Sequence, residues 1–229
     1  MLAHEYYDAA RHPTCANFRH ASRIFIREAL ERVEWPSVSL LELGAGKSVA
    51  AELVLDKYRE RLGLLSITDA SPEMLSYSRP WAGRGARLQI ADALALPYRS
   101  DTYSLVVASL ADPYNEAALW TEATRVLCRG GQFVVTLPAY EWALRFRNQT
   151  GCPADRAEFV LRDGTVLLVP SFVFSKDDIA IRGQHAGLTL QTYRTVYAEE
   201  LLQDFLSPKL QSAGSARVPV IDGYVFVKH

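Results

Sequence analysis

Glycines and carboxylates fall together where apolar runs end in this 229-residue chain. The first group is Leu41-Glu42-Leu43-Gly44-Ala45-Gly46-Lys47-Ser48. Its glycines let a ligand come close to the backbone, and a carboxylate beside them suits a cationic amino group better than a phosphate. Two phosphate-binding patterns fail by spacing. A P-loop would need a glycine at Leu41, and a GxGxxG dinucleotide turn would need its third glycine at Val49. What remains is an acid two residues before the first of two glycines, with small Ser48 nearby. Two more acids, Asp69 in Ile67-Thr68-Asp69-Ala70-Ser71 and Asp92 in Ala91-Asp92-Ala93-Leu94, close the next two apolar runs.

The elements that must position these residues follow from periodicity. Val38–Leu43, Leu64–Thr68, Ala86–Ile90, Tyr103–Ser109 and Gln132–Leu137 are short apolar runs of strand type. Between them, Lys47–Leu62 has helical spacing up to Gly63. Ser71-Pro72 opens a second helix, and Asn115 caps a third that Arg129-Gly130-Gly131 closes. Strands joined by helical crossovers predict a parallel sheet covered on both faces, with ligands beyond the strands' carboxyl ends. Before residue 38, Phe18, Ala21, Phe25 and Ala29 form a helical stripe. After residue 138, Glu158–Val169 is two apolar runs joined by Arg162-Asp163-Gly164, a hairpin signal, and Ser175–Ala186 is a helix candidate. Leu188–Tyr197 and Val218–Lys228 are the last strands, an antiparallel closing pair.

Each acid or glycine pair taken alone is ordinary turn or capping chemistry. Their order along successive strand ends is similar to the class I S-adenosylmethionine-dependent methyltransferases, over residues 38–138 and more loosely to the end. Arg125-Val126-Leu127-Cys128-Arg129-Gly130-Gly131 resembles that family's RVLxPGG, with Arg129 in place of proline. The resemblance implies an α/β fold: a Rossmann-like, doubly wound, seven-stranded sheet, parallel with an antiparallel final strand, carrying an N-terminal helix and a β-hairpin/helix cap insertion. It implies S-adenosylmethionine as cofactor, leaving as S-adenosylhomocysteine. Asp69 is expected to accept both ribose hydroxyls and Asp92 the adenine amino group. Glu42, Gly44, Ala45, Gly46, Ala70, Ser71, Met74, Ala93, Leu94, Ser109 and Leu110 complete the expected cofactor site.

Asp112-Pro113-Tyr114 invites comparison with the [DNS]PP[YF] motif of base-modifying amino-methyltransferases, but it falls three residues late and lacks one proline. The stretch from Ser109 to Gly131 aligns without a gap to the small-molecule branch that resembles the ubiquinone- and biotin-pathway enzymes. The chain is therefore expected to be one domain: 38–138 for the cofactor, 1–37 and 139–187 as substrate cap, and 188–229 as closing strands. Tyr140, Trp142, Phe146 and Phe172 would line that cap. In-line methyl transfer relies on positioning, and a base helps when the acceptor is a hydroxyl. His12, His20, His185 and Tyr7 are the candidates, with Tyr6 and Tyr7 expected to close over the methyl group.

A net charge of −1 lacks the basic excess that broad nucleic-acid binding needs. Three separated cysteines, with no CxxC or HExxH, indicate neither a disulfide framework nor a metal. No long apolar run marks a membrane span or signal peptide, so the expectation is a cytoplasmic enzyme with a small-molecule methyl acceptor, and a homodimer is compatible with it. An RNA or protein methyltransferase and a non-catalytic S-adenosylmethionine-binding protein are the alternatives.

Overall fold

The computed structural model describes residues 2–33, 38–57, 64–201, 206–211 and 217–229. Its strands are β1 (Leu40–Leu43), β2 (Leu65–Asp69), β3 (Arg87–Ile90), β4 (Tyr103–Ala108), β5 (Leu127–Pro138), β6 (Arg156–Val160), β7 (Val166–Pro170), β8 (Leu188–Tyr197) and β9 (Pro219–Lys228). Successive residues of a strand face opposite sides, and the central strands bury both. Leu40, Leu105 and Val107 join one hydrophobic core, while Leu41, Leu43, Val106 and Ala108 join another across the sheet. The order is β3-β2-β1-β4-β5-β9-β8, parallel from β3 to β5, with β9 antiparallel to both its neighbours. Chain direction across the sheet reverses between β1 and β4, and that switch point opens the crevice where α/β sheets bind ligands.

Helices α2 (Pro13–Glu31) and α3 (Val49–Lys57) cover the first face. Phe25 of α2 lies against the backbone of Gly223 in β9, where any side chain would collide with its ring. On the second face, Trp120 of α6 (Ala117–Val126) sets its edge on Phe133 and Phe226 with centroids 5.4 and 5.2 Å apart. Short helices α1 (Leu2–Tyr6), α4 (Pro72–Ser76) and α5 (Arg79–Ala82) flank the crevice, and α7 (Tyr140–Thr150) follows β5. β6 and β7 form the separate antiparallel hairpin expected around Asp163-Gly164.

Several local expectations change. Asn115 does not cap α6; its amide is taken by Trp120 Nε1 and the Phe172 carbonyl, each at 2.9 Å, and Glu116 stands at the N-cap instead. Arg129-Gly130-Gly131 does not close that helix. It ends at Val126, and the glycines belong to an irregularity in β5, where pairing jumps from Tyr103↔Leu127 to Leu105↔Gln132. Helix α8 (Lys176–His185), expected in the cap, lays Ile179 into the second core beside Leu119 and Phe226, so it covers the sheet. Trp142, expected to line the cap, instead packs edge-on to Phe18 of α2 at 4.9 Å within the first core. The end of the expected Lys47–Leu62 helix, with Gly63, lies outside the described residues. No helix among the described residues is long and apolar enough to cross a membrane.

Because Phe25 has no room to retreat into a filled core, Gly223→Ala should cost about 1–3 kcal/mol of stability. It would appear as a lower urea midpoint at unchanged slope; an unchanged midpoint would mean that α2 does not seat on β9 through Phe25.

Candidate functional site

The turn after β1 is left-handed at Gly44 (φ +57°), Gly46 (φ +49°) and Ser48 (φ +61°). Ser48 tolerates this conformation while its hydroxyl donates to Glu42 and accepts from Ala51 N at 3.0 Å. The other Glu42 oxygen accepts from Val49 N at 2.9 Å and Ala50 N at 3.1 Å. The first N–H groups of a helix lack partners within it, and an anion there is favoured by the helix dipole. Glu42 therefore caps α3. The carboxylate is sealed inside the protein, and this corrects the expectation that it faces a ligand's amino group. Burial pushes its pKa up to about 7.

Asp69, at the tip of β2, reaches back to the same turn. Its Oδ2 accepts from Gly46 N at 3.0 Å and its Oδ1 from Ser71 N at 2.9 Å. Burial raises its pKa and these two bonds oppose the rise. Ala45 N donates to Thr68 O at 2.9 Å, so the turn is stitched to β2 at two successive residues. Ser71 caps α4 as expected, accepting from Met74 N at 3.2 Å, and the Met74 methyl group lies beside Gly46. Ala70 is exposed next to them. After β3, exposed Asp92 accepts from Leu94 N at 2.9 Å, with Ala93 buried and Leu94 packed on the second core. After β4, Ser109 Oγ and Thr136 Oγ1 both lie 2.7 Å from Ser22 Oγ of α2, and Leu110 (φ +51°) donates its N–H to Thr136 Oγ1 at 2.9 Å. The expected cofactor residues thus gather on one edge of the sheet, at the ends of β1 to β4.

Two tyrosines lie over the glycines. Tyr7 Oη accepts from Lys47 N at 3.0 Å, with its ring 4.3 Å from Lys47 Nζ and 4.8 Å from the Tyr77 ring. Tyr114 Oη donates to Leu43 O at 3.0 Å. A Cβ at Gly46 would collide with the Tyr7 hydroxyl and one at Gly44 with the Tyr114 hydroxyl, so both glycines open onto a space that polar groups enter. Desolvation pushes Tyr7 up to about 12 and holds Tyr114 well above its ordinary value, which keeps both hydroxyls neutral near pH 7. Sequence reasoning missed Tyr114 because no local pattern says that a residue after β4 reaches the β1 turn.

The histidines separate. His12, at the N-cap of α2, stacks on Phe159 of the hairpin at 4.1 Å, with Nε2 3.8 Å from Glu5 Oε2. His20 lies along α2 with Arg23 and Arg27, whose charges add to the desolvation that lowers its pKa. His185 is displaced altogether. It precedes the start of β8, which runs parallel to β5, and so stands at the opposite edge of the sheet from the glycine turn. Arg147 donates to Ser171 O at 2.7 Å and Arg156 O at 3.3 Å, tying α7 to the hairpin.

Residues 41–135 match a family model described as a methyltransferase domain. No curated protein matches the chain significantly. Among solved structures, the methyltransferase-assigned chain of a complex with the Haloferax volcanii Trm112 methyltransferase activator is similar with a TM-score of 0.68 at 16% identity, covering 93% of each chain. An S-adenosylmethionine-dependent methyltransferase from Mesorhizobium loti gives 0.63 at 16% identity over 92% of this chain and 100% of the other. Another, from Clostridium acetobutylicum, gives 0.61 at 14% identity over 92% of each. At these identities the likeness establishes the Rossmann-like fold over nearly the whole chain.

Glu42 has its pKa raised by folding from 4.5 to about 7. The folded state holds the proton more tightly, so this group's contribution to stability falls as pH rises from 4.5 to 7. Subtracting the melting-temperature profile of Glu42→Gln from that of the native chain should isolate a decline across that window. A flat difference would mean that Glu42 is not buried as an ionisable cap.

Proposed function

We propose that the chain is an S-adenosylmethionine-dependent methyltransferase acting on a small organic molecule. One observation carries the reading. The left-handed glycines after β1 and the Asp69 carboxylate after β2 converge on Gly46, whose N–H is held by Asp69 at 3.0 Å. A ligand lying across the strand ends would meet the Gly44 and Gly46 backbone in the space that the Tyr114 and Tyr7 hydroxyls enter, and an acid at Asp69. A Cβ at either glycine would fill that cradle, and Asp69 keeps lone pairs for ribose hydroxyls beyond its two backbone bonds. Asp92 and the Ala93-Leu94 backbone extend the line toward a purine. The residues present fit the cofactor. Glu42, bonded to Ser48, Val49 and Ala50, shapes the turn in this reading.

Bound S-adenosylmethionine supplies a methyl group made electrophilic by a sulfonium. The chain's part is to hold that group, exclude water and present an acceptor in line. Tyr7 and Tyr114 cover the glycine turn, and the hairpin closes on the N-terminal segment through the His12–Phe159 stack. Between α1 and the hairpin turn lies a cleft of about 440 Å³, lined by His4, Glu5, Asp8, Leu161, Arg162 and Asp163. None of these residues belongs to the glycine turn, so what supports a small-molecule acceptor is the resemblance of the stretch from Ser109 to Gly131 to the small-molecule branch.

Asp69→Ala should weaken S-adenosylmethionine binding roughly 10- to 100-fold by calorimetry, the loss expected when hydrogen bonds to a charged group are removed. A melting curve on the same sample verifies that the variant is folded. Unchanged affinity would refute the site. Transfer of labelled methyl from S-adenosylmethionine into a metabolite extract then identifies the acceptor.

A further inference from the structure

The cleft between α1 and the hairpin turn stands apart from the cofactor cradle: among the described residues, neither the glycine turn nor Asp69 or Asp92 lines it. Its walls carry three carboxylates, Glu5, Asp8 and Asp163, against one guanidinium, Arg162. Such a surface favours a cation. Two of the acids are anchored to their own turns. Asp8 Oδ1 accepts from Ala10 N at 3.1 Å and Arg11 N at 3.3 Å, and Asp163 Oδ1 accepts from Thr165 N at 2.9 Å.

Glu5 is not anchored in this way. Its side chain is only 14% exposed and its Oε2 is buried, with no hydrogen-bond partner among the described residues. The His12 ring, 10% exposed and stacked on Phe159, turns an equally orphaned Nε2 toward that oxygen at 3.8 Å, and Arg11 Nε lies at 3.8 Å as well. Both distances exceed a hydrogen bond. Buried polar atoms nearly always have partners, and a carboxylate oxygen facing an imidazole nitrogen at the wall of a cleft is completed by a group with several N–H donors. An ammonium is such a group.

The spread of the acids decides which cation fits. Among the described residues no three His, Cys, Asp or Glu side chains are grouped as a metal ion requires. Glu5 and Asp8 belong to the N-terminal segment and Asp163 to the hairpin turn, while Leu161 adds an apolar wall, in a cleft of about 440 Å³. Sites for small ligands have this size and this mixture of apolar surface with a few charged groups. We propose that the cleft binds an aliphatic diamine in its doubly protonated form, with one ammonium at Glu5 and Asp8, the other at Asp163, and the methylenes along Leu161. Bound there, the ligand bridges α1 to the hairpin. The site is independent of the methyltransferase reading above, because no group of the cofactor cradle takes part in it.

Calorimetry on the full chain tests this with diaminopropane, diaminobutane and diaminopentane as probes. At least one should bind saturably, slow amide hydrogen exchange in α1 and around Asp163, and bind more weakly as salt is raised. Butylamine, with a single charge, should bind about tenfold more weakly, and succinate and magnesium chloride should give no saturable binding. Glu5→Gln should weaken the best diamine about 10- to 100-fold. Asp163→Asn, which keeps an oxygen for Thr165 N, should weaken it about 2- to 5-fold. Melting curves verify that both variants are folded. No saturable binding of any diamine, equal affinity for butylamine, magnesium binding as tight as the diamines, or affinity unchanged in both variants would overturn the proposal. So would displacement of the diamine by S-adenosylmethionine, which would put it in the cofactor cradle.

Discussion

The site depends on one buried carboxylate. Glu42 lies on the first-core face of β1, where an unpaired charge would be costly, and it is tolerated because Ser48, Val49 and Ala50 all donate to it. Those donors are the end of the turn and the first turn of α3. Satisfying the carboxylate therefore fixes the helix's direction relative to the strand, and between the two anchors the chain must pass through Gly44 and Gly46 in left-handed conformation. Thr68 Oγ1 donates to the Glu42 carbonyl at 2.8 Å, so β2 is registered against the same residue. Asp69 follows Thr68 and reaches Gly46 as a consequence.

From that anchor the site is assembled by long-range contacts. Tyr114 arrives from the loop after β4 and Tyr7 from the turn that follows α1, which is held where Arg19 of α2 donates to Tyr6 O at 2.9 Å. The α2 helix is placed by Phe25 against Gly223 and by the Ser22–Ser109–Thr136 hydroxyls, which also hold the loop after β4. One helix on the first face thus positions both the segment that covers the glycine turn and the loop that carries Asp112.

The sequence made the order of strands and crossovers legible because a buried parallel strand leaves a continuous apolar run and its crossover a 3.6-residue stripe. It also located the acids and glycines at strand ends. Direction was less legible. Glu42 and Asp69 have the same spacing logic, yet one turns inward because α3 begins within its reach and the other turns toward the crevice. Nothing in a spacing pattern distinguishes them. His185 shows a topological version of the same difficulty: whether it stands near the site depends on the direction of β8, set by its pairing with β9. Asn115 is a strong capping residue by type, but a buried indole N–H needs an acceptor, and Trp120 takes the Asn115 amide oxygen.

The three acids at the switch point are held in different ways. Glu42 spends its oxygens on a helix N-terminus and Asp69 on two loop N–H groups, bonds on which the shape of the turn depends. Protonating either would loosen the turn. Asp112 is tied by a hydroxyl, which can rotate and does not define a turn, and its loop is secured separately by Phe172 N and by Ala111 N on Thr136 O at 3.0 Å. A carboxylate whose backbone is fixed independently of its side chain can change protonation without moving the site around it.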